Sequence, residues 1–342
     1  MRRQLVKRSL FVVGALVACS GLSACGEKHN TLTASPASAQ KVTLMLDRAP
    51  NANHVGLYQA IARGSFAQAG LNVQVEPPPD PSAPLEELAA GKVDFALSYE
   101  PQLLIARNQD EPLVSVAAIV QQPLTSIISL ASKHISSPAQ LRGKAVGDGG
   151  LAYQDGFLAA ILAGARVPSS SVKQIDVGQN YVPATLSGQV DATIGGEWNV
   201  DAIQLQQLGR HTNVIRTQQV GIPPYDELVL SVRATFLTTH AEVVRRFVQA
   251  LARGYESARQ DPTLAVQNLA RLNPGLDSKL ALAGVRATLP AFFPSNPGQP
   301  WGYQDPLQWN LFGQWMLSHH LISNLNAPVD ASTNEVLAGQ GI

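Results

Sequence analysis

From Lys41 onward, short apolar stretches alternate with segments whose apolar residues recur at helical spacing. Val42–Leu46 has the pattern of a buried strand, and His54–Arg63, with Val55, Leu57, Tyr58 and Ile61 apolar, reads as a helix stopped by Gly64. Leu71–Val75 predicts a strand, Pro84–Ala90 a short helix closed by Gly91, and Val93–Leu97 another strand. A second set begins near Ser137, with strands at Lys144–Val146, Val172–Val177 and Val190–Ile194. Its helices are Asp155–Ala163, Tyr181–Leu186 and Val200–Leu208. Alternation of this kind predicts parallel sheets with helices on both faces. Beyond the strand-like Leu228–Val232 the pattern turns helical. Thr239–Glu242 fits a capping box, followed by Val243, Val244, Phe247, Leu251 and Tyr255, and then by Pro262–Leu272, Ser278–Thr288 and Asp305–His320.

One segment recurs. Gly91-Lys92-Val93-Asp94-Phe95-Ala96-Leu97 matches Gly188-Gln189-Val190-Asp191-Ala192-Thr193-Ile194, a glycine that ends a helix followed by a buried strand. Two similar lobes follow from it: residues 41–130 with 229–342 as lobe 1, and 131–228 as lobe 2. The chain is expected to cross near Ile128–Lys133 and return near Tyr225–Leu230, which makes a two-crossover hinge with a ligand cleft between two doubly wound α/β lobes.

The first residues differ in character. Arg2, Arg3, Lys7 and Arg8 precede an apolar run from Leu10 to Leu22, too short for a membrane span, which reads as a secretory signal over residues 1–24. Leu22-Ser23-Ala24-Cys25 looks like a bacterial lipobox, with Cys25 lipidated and the polar residues to position 40 a tether; Cys19 is a poorer second candidate. Arg2-Arg3 also faintly resembles a twin-arginine signal. The mature protein is therefore expected to be exported and held at a membrane by its lipid anchor. Cys19 and Cys25 are the only cysteines, so no disulfide framework or cysteine metal site can form in the mature body. Without the four basic signal residues, 21 Lys+Arg stand against 25 Asp+Glu and form no basic stripe, which argues against nucleic acid as a partner.

In open parallel sheets, ligands sit outside the carboxyl ends of the strands. The residues that follow the predicted strands are rich in aromatic, amide and carboxylate groups: Asp47, Arg48, Asn53 and His54; Ser98 and Tyr99; Tyr153; and Glu197, Trp198 and Asn199. Trp198, Tyr99 and Tyr153 are expected to stack on a planar ring while the polar groups pair with its edge. Gly147–Ala152 has the form G-x-G-x-x-A, with Asp176 near the place of a ribose-binding acid, but an exported protein would rarely meet a dinucleotide. Neither G-x-S-x-G nor H-E-x-x-H occurs, and His319 and His320 are adjacent rather than one turn apart. No cofactor, no metal and no catalytic residue is expected.

These loops carry a resemblance. Leu46–Tyr58 is similar to the opening motif of substrate-binding proteins that feed thiamine pyrimidine precursors to ABC importers, as are Asp94–Tyr99, Gly195–Val200, Pro224–Val229 and Trp301–Pro306. The likeness runs from about Lys41 to Leu337. It implies a periplasmic-binding-protein type II fold, acting as a monomer, that closes on an aminopyrimidine-like heterocycle and delivers it to ABC permease subunits. It would place Asp47, Asn53, His54, Ser98, Tyr99, Glu197, Trp198, Tyr225 and Glu227 around the ligand. Where the family usually has tryptophan this chain has Arg48, which points to a different, more anionic ligand. Riboflavin-, sulfonate-, taurine- and nitrate-type binders share the scaffold, and pyrimidine synthases belong to the same family. The synthases carry a cysteine-rich motif that this mature body lacks.

Overall fold

The computed structural model describes residues 39–340, so the expected signal, lipobox cysteine and most of the tether lie outside the described residues. In chain order the elements are β1 (Gln40–Met45), a 3₁₀ turn (Ala52–His54), α1 (Val55–Ala62), α2 (Ser65–Gln68), β2 (Leu71–Glu76), α3 (Ala83–Ala89), β3 (Phe95–Ser98), α4 (Glu100–Asn108), β4 (Leu113–Val120) and β5 (Thr125–Leu130). There follow β6 (Ala145–Asp148), α5 (Ala152–Gly164), β7 (Lys173–Asp176), α6 (Tyr181–Ser187), β8 (Ala192–Glu197), α7 (Asp201–Gln207) and β9 (Thr212–Arg216). The last are β10 (Leu228–Arg233), α8 (Ala234–Thr239), α9 (Ala241–Gln260), α10 (Pro262–Leu272), α11 (Ser278–Thr288) and α12 (Pro306–Ser318). No helix among the described residues is long and apolar enough to cross a membrane.

The strands form two five-stranded sheets, ordered β2-β1-β3-β10-β4 and β7-β6-β8-β5-β9. In the first, β1 pairs parallel with β2 and β3, and β10 runs antiparallel between β3 and β4. The second repeats that plan: β6 is parallel to β7 and β8, and β5 runs antiparallel between β8 and β9. The fold is the two-lobed α/β arrangement of type II periplasmic binding proteins. Its repeated segment has a structural cause. Gly91 and Gly188 both adopt left-handed geometry (φ 75° and 77°) at the ends of helices. Three residues on, Asp94 Oδ2 accepts from Thr43 N (2.9 Å) and Asp191 Oδ2 accepts from Ala145 N (3.0 Å), tying each following strand to its parallel neighbour.

The chain crosses between sheets at residues 121–124 rather than at Ile128–Lys133. Strand β5 hydrogen-bonds along both sides within the second sheet, which places Thr125–Leu130 beyond the crossing. The return runs from the end of β9 to the start of β10 at Leu228. The expected capping box at Thr239–Glu242 does not form. The Thr239 hydroxyl turns back to the Thr235 carbonyl (2.7 Å) as the last residue of α8, and His240 begins α9 without a side-chain cap.

Helix α9 packs on α1 with almost no gap: a Cβ at Gly254 would lie 2.0 Å from the Gly56 carbonyl oxygen. That contact brings Tyr255 over the turn before α1, where its hydroxyl donates to the Asn53 carbonyl (2.6 Å). The long amphipathic helix thus fixes the height of the loop that leaves β1.

Candidate functional site

Past β1 the chain drops into the space between the lobes. Asp47 is 1% exposed, and both of its oxygens accept: Oδ1 from His54 Nε2 (2.7 Å) and Oδ2 from the Tyr99 hydroxyl (3.0 Å). The 3₁₀ turn sets the histidine. Asn51 caps it through Oδ1, which accepts from Asn53 N (2.8 Å), and the Asn51 N–H points at His54 Nδ1 (3.1 Å). A backbone N–H can only donate, so Nδ1 accepts and Nε2 carries the proton given to Asp47. Burial pushes the Asp47 carboxyl up, but His54, Arg48 and Tyr99 outweigh it and hold it below the usual range. Burial, with the Asp47 charge beside it, pushes the Tyr99 phenol well up, so Tyr99 stays a donor to Asp47.

From the opposite lobe, Glu197 arrives at the end of β8. Its Oε2 accepts from Asn53 Nδ2 (3.0 Å) and lies 3.4 Å from Arg48 Nη1. Arg48 also forms a two-pronged pair with Asp201, 3.3 Å at each prong. Asn199 Nδ2 donates to Asn53 Oδ1 (2.7 Å) and to the Thr288 hydroxyl of α11 (2.6 Å), while its Oδ1 is buried without a partner. Gln179 Nε2 donates to the Asp47 carbonyl (3.3 Å). These bonds span the two lobes, which are closed on each other. The Tyr99 and Tyr153 rings meet at a tilt of 50° with centroids 5.8 Å apart.

Burial drives the Glu197 carboxyl up to about 8; Arg48 pulls it down, and the charges of Asp47, Asp201 and Glu227 push it up again. Folded Glu197 therefore keeps its proton to about pH 8, whereas an unfolded chain releases it near 4.5. The stabilisation is full below about pH 4.5 and is lost progressively as pH rises to about 8, at up to about 1.4 kcal/mol per unit. Thermal melts of ligand-free protein from pH 5 to 8 should fall more steeply for wild type than for Glu197→Gln. Parallel slopes would show that Glu197 is ionised throughout.

Ser98, Trp198, Tyr225 and Glu227 are held by protein groups. The Ser98 hydroxyl meets Ser231 Oγ (3.3 Å) within the first sheet. Trp198 Nε1 donates to the Pro123 carbonyl (3.2 Å), and the Arg216 guanidinium covers one ring face at 4.2 Å, so that face is taken by protein. Tyr225 donates to Glu227 (2.9 Å) and stacks on Phe312. Glu227 accepts from the backbone N–H groups of Leu124 and Thr125, clasping the two hinge segments together. Arg48, expected to meet ligand charge, is engaged by Asp201 and Glu197. In the glycine loop after β6, Gly149 N donates to Gln154 Oε1 (2.6 Å) and Gly150 N to Asp148 Oδ1 (2.9 Å); the N–H groups a phosphate would need are already used.

Arg48, Asp47, Asn53, His54, Tyr99, Tyr153, Glu197 and Asn199 do come together. Reading the strand ends missed Gln179, Asp201 and Thr288. Asp201 had a signal, as an acid in the first turn of a helix directly after Glu197–Asn199; Thr288 had none, since α11 follows no strand. A cavity of about 330 Å³ opens beside this cluster, lined by Arg48, Asn51, Gln179, Asn199, Gln204 and Asp277 among others. A larger concavity of about 770 Å³ runs along α9 and contains none of the cluster.

Residues 51–265 match the family model described as NMT1/THI5 like. The chain is 32% identical over 315 residues to the formylaminopyrimidine-binding protein of Halalkalibacterium halodurans, covering 91% of this chain and 94% of that protein. It is 24% identical over 259 residues to a 4-amino-5-hydroxymethyl-2-methylpyrimidine phosphate synthase of Saccharomyces cerevisiae, covering 71% and 74%. Among solved structures, the alkanesulfonate-binding protein SsuA from Xanthomonas axonopodis pv. citri, bound to MOPS, superposes with a TM-score of 0.68 at 17% identity, over 87% of this chain and 99% of that one.

Proposed function

The chain belongs to the NMT1/THI5-like family, and from that premise we propose that it is the exported solute-binding component of an ABC importer. It captures a small amino-substituted heterocycle of the thiamine-pyrimidine-precursor type between its lobes and hands it to a permease, acting as a monomer tethered through Cys25. The formylaminopyrimidine-binding relative, alike over nearly the whole chain, supports that ligand class.

The observation that carries the reading is the excess of acceptors in the cleft. The Asp47 carboxylate and the orphaned Asn199 Oδ1 are acceptors, the protonated Glu197 carboxyl keeps its carbonyl oxygen, and the Arg48 guanidinium is already paired with Asp201. A nitrate or sulfonate entering would meet carboxyl groups and no free cation, which is costly in a desolvated site. A ring bearing amino N–H groups finds acceptors on both lobes, with the Tyr99 and Tyr153 rings beside them. Contacts with both lobes favour the closed form, because a ligand shifts the equilibrium only by its differential affinity for the two states.

The test is a thermal-shift panel of formylaminopyrimidine, 4-amino-5-hydroxymethyl-2-methylpyrimidine, thiamine, riboflavin, alkanesulfonates and nitrate, followed by mass spectrometry of the recovered ligand. A true ligand at about 100 times its Kd adds roughly 2.7 kcal/mol, or about 5–10 °C. A shift confined to the aminopyrimidines, with ligand returned unchanged, supports the reading. A shift with sulfonate or nitrate overturns the ligand class, and chemical conversion of the ligand overturns the binder in favour of an enzyme.

A further inference from the structure

Arg48 and Asp201 belong to different lobes. Arg48 lies three residues past β1 of the first sheet, and Asp201 opens α7 beside the second. Their side chains are 12% and 5% exposed, with the guanidinium prongs 3.3 Å from the two carboxylate oxygens. Asp201 is oriented beforehand, since its Oδ2 also accepts from the backbone N–H of Glu197 (2.7 Å). Among the described residues, the only contacts between a basic side chain of one lobe and carboxyl groups of the other are those of Arg48, to the Asp201 carboxylate and to the Glu197 carboxyl at 3.4 Å. The other contacts across this part of the cleft, Asn53 to Glu197, Asn199 to Asn53 and Gln179 to the Asp47 carbonyl, are donated by neutral amides.

We propose that Arg48 and Asp201 form an ion-pair latch between the lobes, which populates the closed conformation before any ligand binds. Arg48 is then a positioning residue rather than a ligand contact. Its charge is spent on Asp201, and the planar fork fixes the angle at which α7 meets the loop after β1. A planar, two-pronged pair out of water is stronger and more directional than an exposed ion pair, and removing one partner leaves the other charge stranded. A latch that needs no ligand also changes what the ligand must supply. Part of the closing free energy is already present, so the cognate heterocycle tips a balanced equilibrium instead of driving it from fully open. The inference rests on the reading of the chain as two lobes that close on a ligand.

The experiment is small-angle X-ray scattering of the purified protein without ligand. Asp201→Asn keeps an acceptor for Glu197 N but removes the charge, and Arg48→Gln removes the other half. Each should shift the closed-to-open ratio at least about tenfold toward open and raise the radius of gyration. The exchanged pair Arg48→Asp with Asp201→Arg should recover the compact dimensions, which loss of packing alone would not predict. Wild-type dimensions in Asp201→Asn would overturn the latch. If the exchanged variant does not fold or stays open, Arg48→Lys decides: it keeps the charge that Arg48→Gln removes, so a radius of gyration nearer wild type than that of Arg48→Gln supports the latch, and one equal to that of Arg48→Gln sinks it. No ligand enters these measurements, so a failed ligand panel and a failed latch are read separately.

Discussion

Glu227→Ala is expected to lose at least about 4 kcal/mol of stability and most of its soluble yield. The carboxylate sits at the hinge with both oxygens in use. Oε2 accepts from Leu124 N (2.6 Å), Thr125 N (2.9 Å) and the Tyr225 hydroxyl (2.9 Å), and Oε1 from the Thr125 hydroxyl (2.7 Å). All of these residues are buried. Alanine strands several donors where water does not reach, at about 1–3 kcal/mol each, against a total stability of about 5–15 kcal/mol. Glu227→Gln should cost only about 1 kcal/mol. Its carbonyl oxygen can stand at Oε2 for the backbone donors, and its amide can donate to the Thr125 hydroxyl, which turns to accept. Urea denaturation of the two variants checks both numbers; an alanine variant within 1 kcal/mol of wild type would remove the clasp from the hinge.

That hinge was the part of the fold the sequence read least well. Local signals served where structure is local. The pattern gives Pro262–Leu272 and Ser278–Thr288 to the residue, and in the structure Asp261 and Asp277 cap those helices through their own side chains. The Gly-x-Val-Asp repeat was legible for the same reason. Strands β4, β5 and β9 passed unread, although Leu113–Val120 is apolar enough to be wholly buried. Their partners are distant: β4 pairs with β10, more than a hundred residues later, and β5 with β8 and β9 across an entire α/β unit. No periodicity within either segment says which sheet it joins, so the expected crossing, Ile128–Lys133, falls on the end of β5 and the observed one before its start.

The site divides along a similar line. Residues directly past β1, β3, β6 and β8 were found because the position of a strand end follows from the strand itself. What each side chain does there depends on partners far along the chain. Arg48 on its own suggests an anionic ligand, but Asp201 of the other lobe neutralises it. Trp198 suggested a stacking platform until Pro123 and Arg216 were seen to hold it. The charge is partnered across the cleft and the ring by its own sheet and the crossing segment, and a single sequence holds no record of either pairing.

Asp47→Asn is expected to weaken capture of 4-amino-5-hydroxymethyl-2-methylpyrimidine or formylaminopyrimidine about a hundredfold while leaving the protein folded. In wild type the Tyr99 hydroxyl donates to Asp47 Oδ2, which leaves the phenol's lone pairs free to accept from a ligand N–H. His54 Nδ1 is occupied by the Asn51 N–H, so Nε2 can only donate. In the variant, the single carbonyl oxygen must therefore serve His54, and the amide N–H faces Tyr99. Tyr99 then accepts from Asn and turns its own proton into the cleft, toward ligand donors. One exchanged atom at Asp47 thus reverses the polarity of its hydrogen-bonded neighbour. A mismatch of that kind costs about 2–3 kcal/mol, or roughly a hundredfold in Kd. Tyr99→Phe, which removes the acceptor without adding an opposing donor, should cost only about tenfold. Titration calorimetry on both variants makes the comparison. Tighter binding by Asp47→Asn than by Tyr99→Phe would mean that Tyr99 presents its proton, not its lone pairs, to the ligand, and would reverse the donor-rich ligand proposed for this cleft.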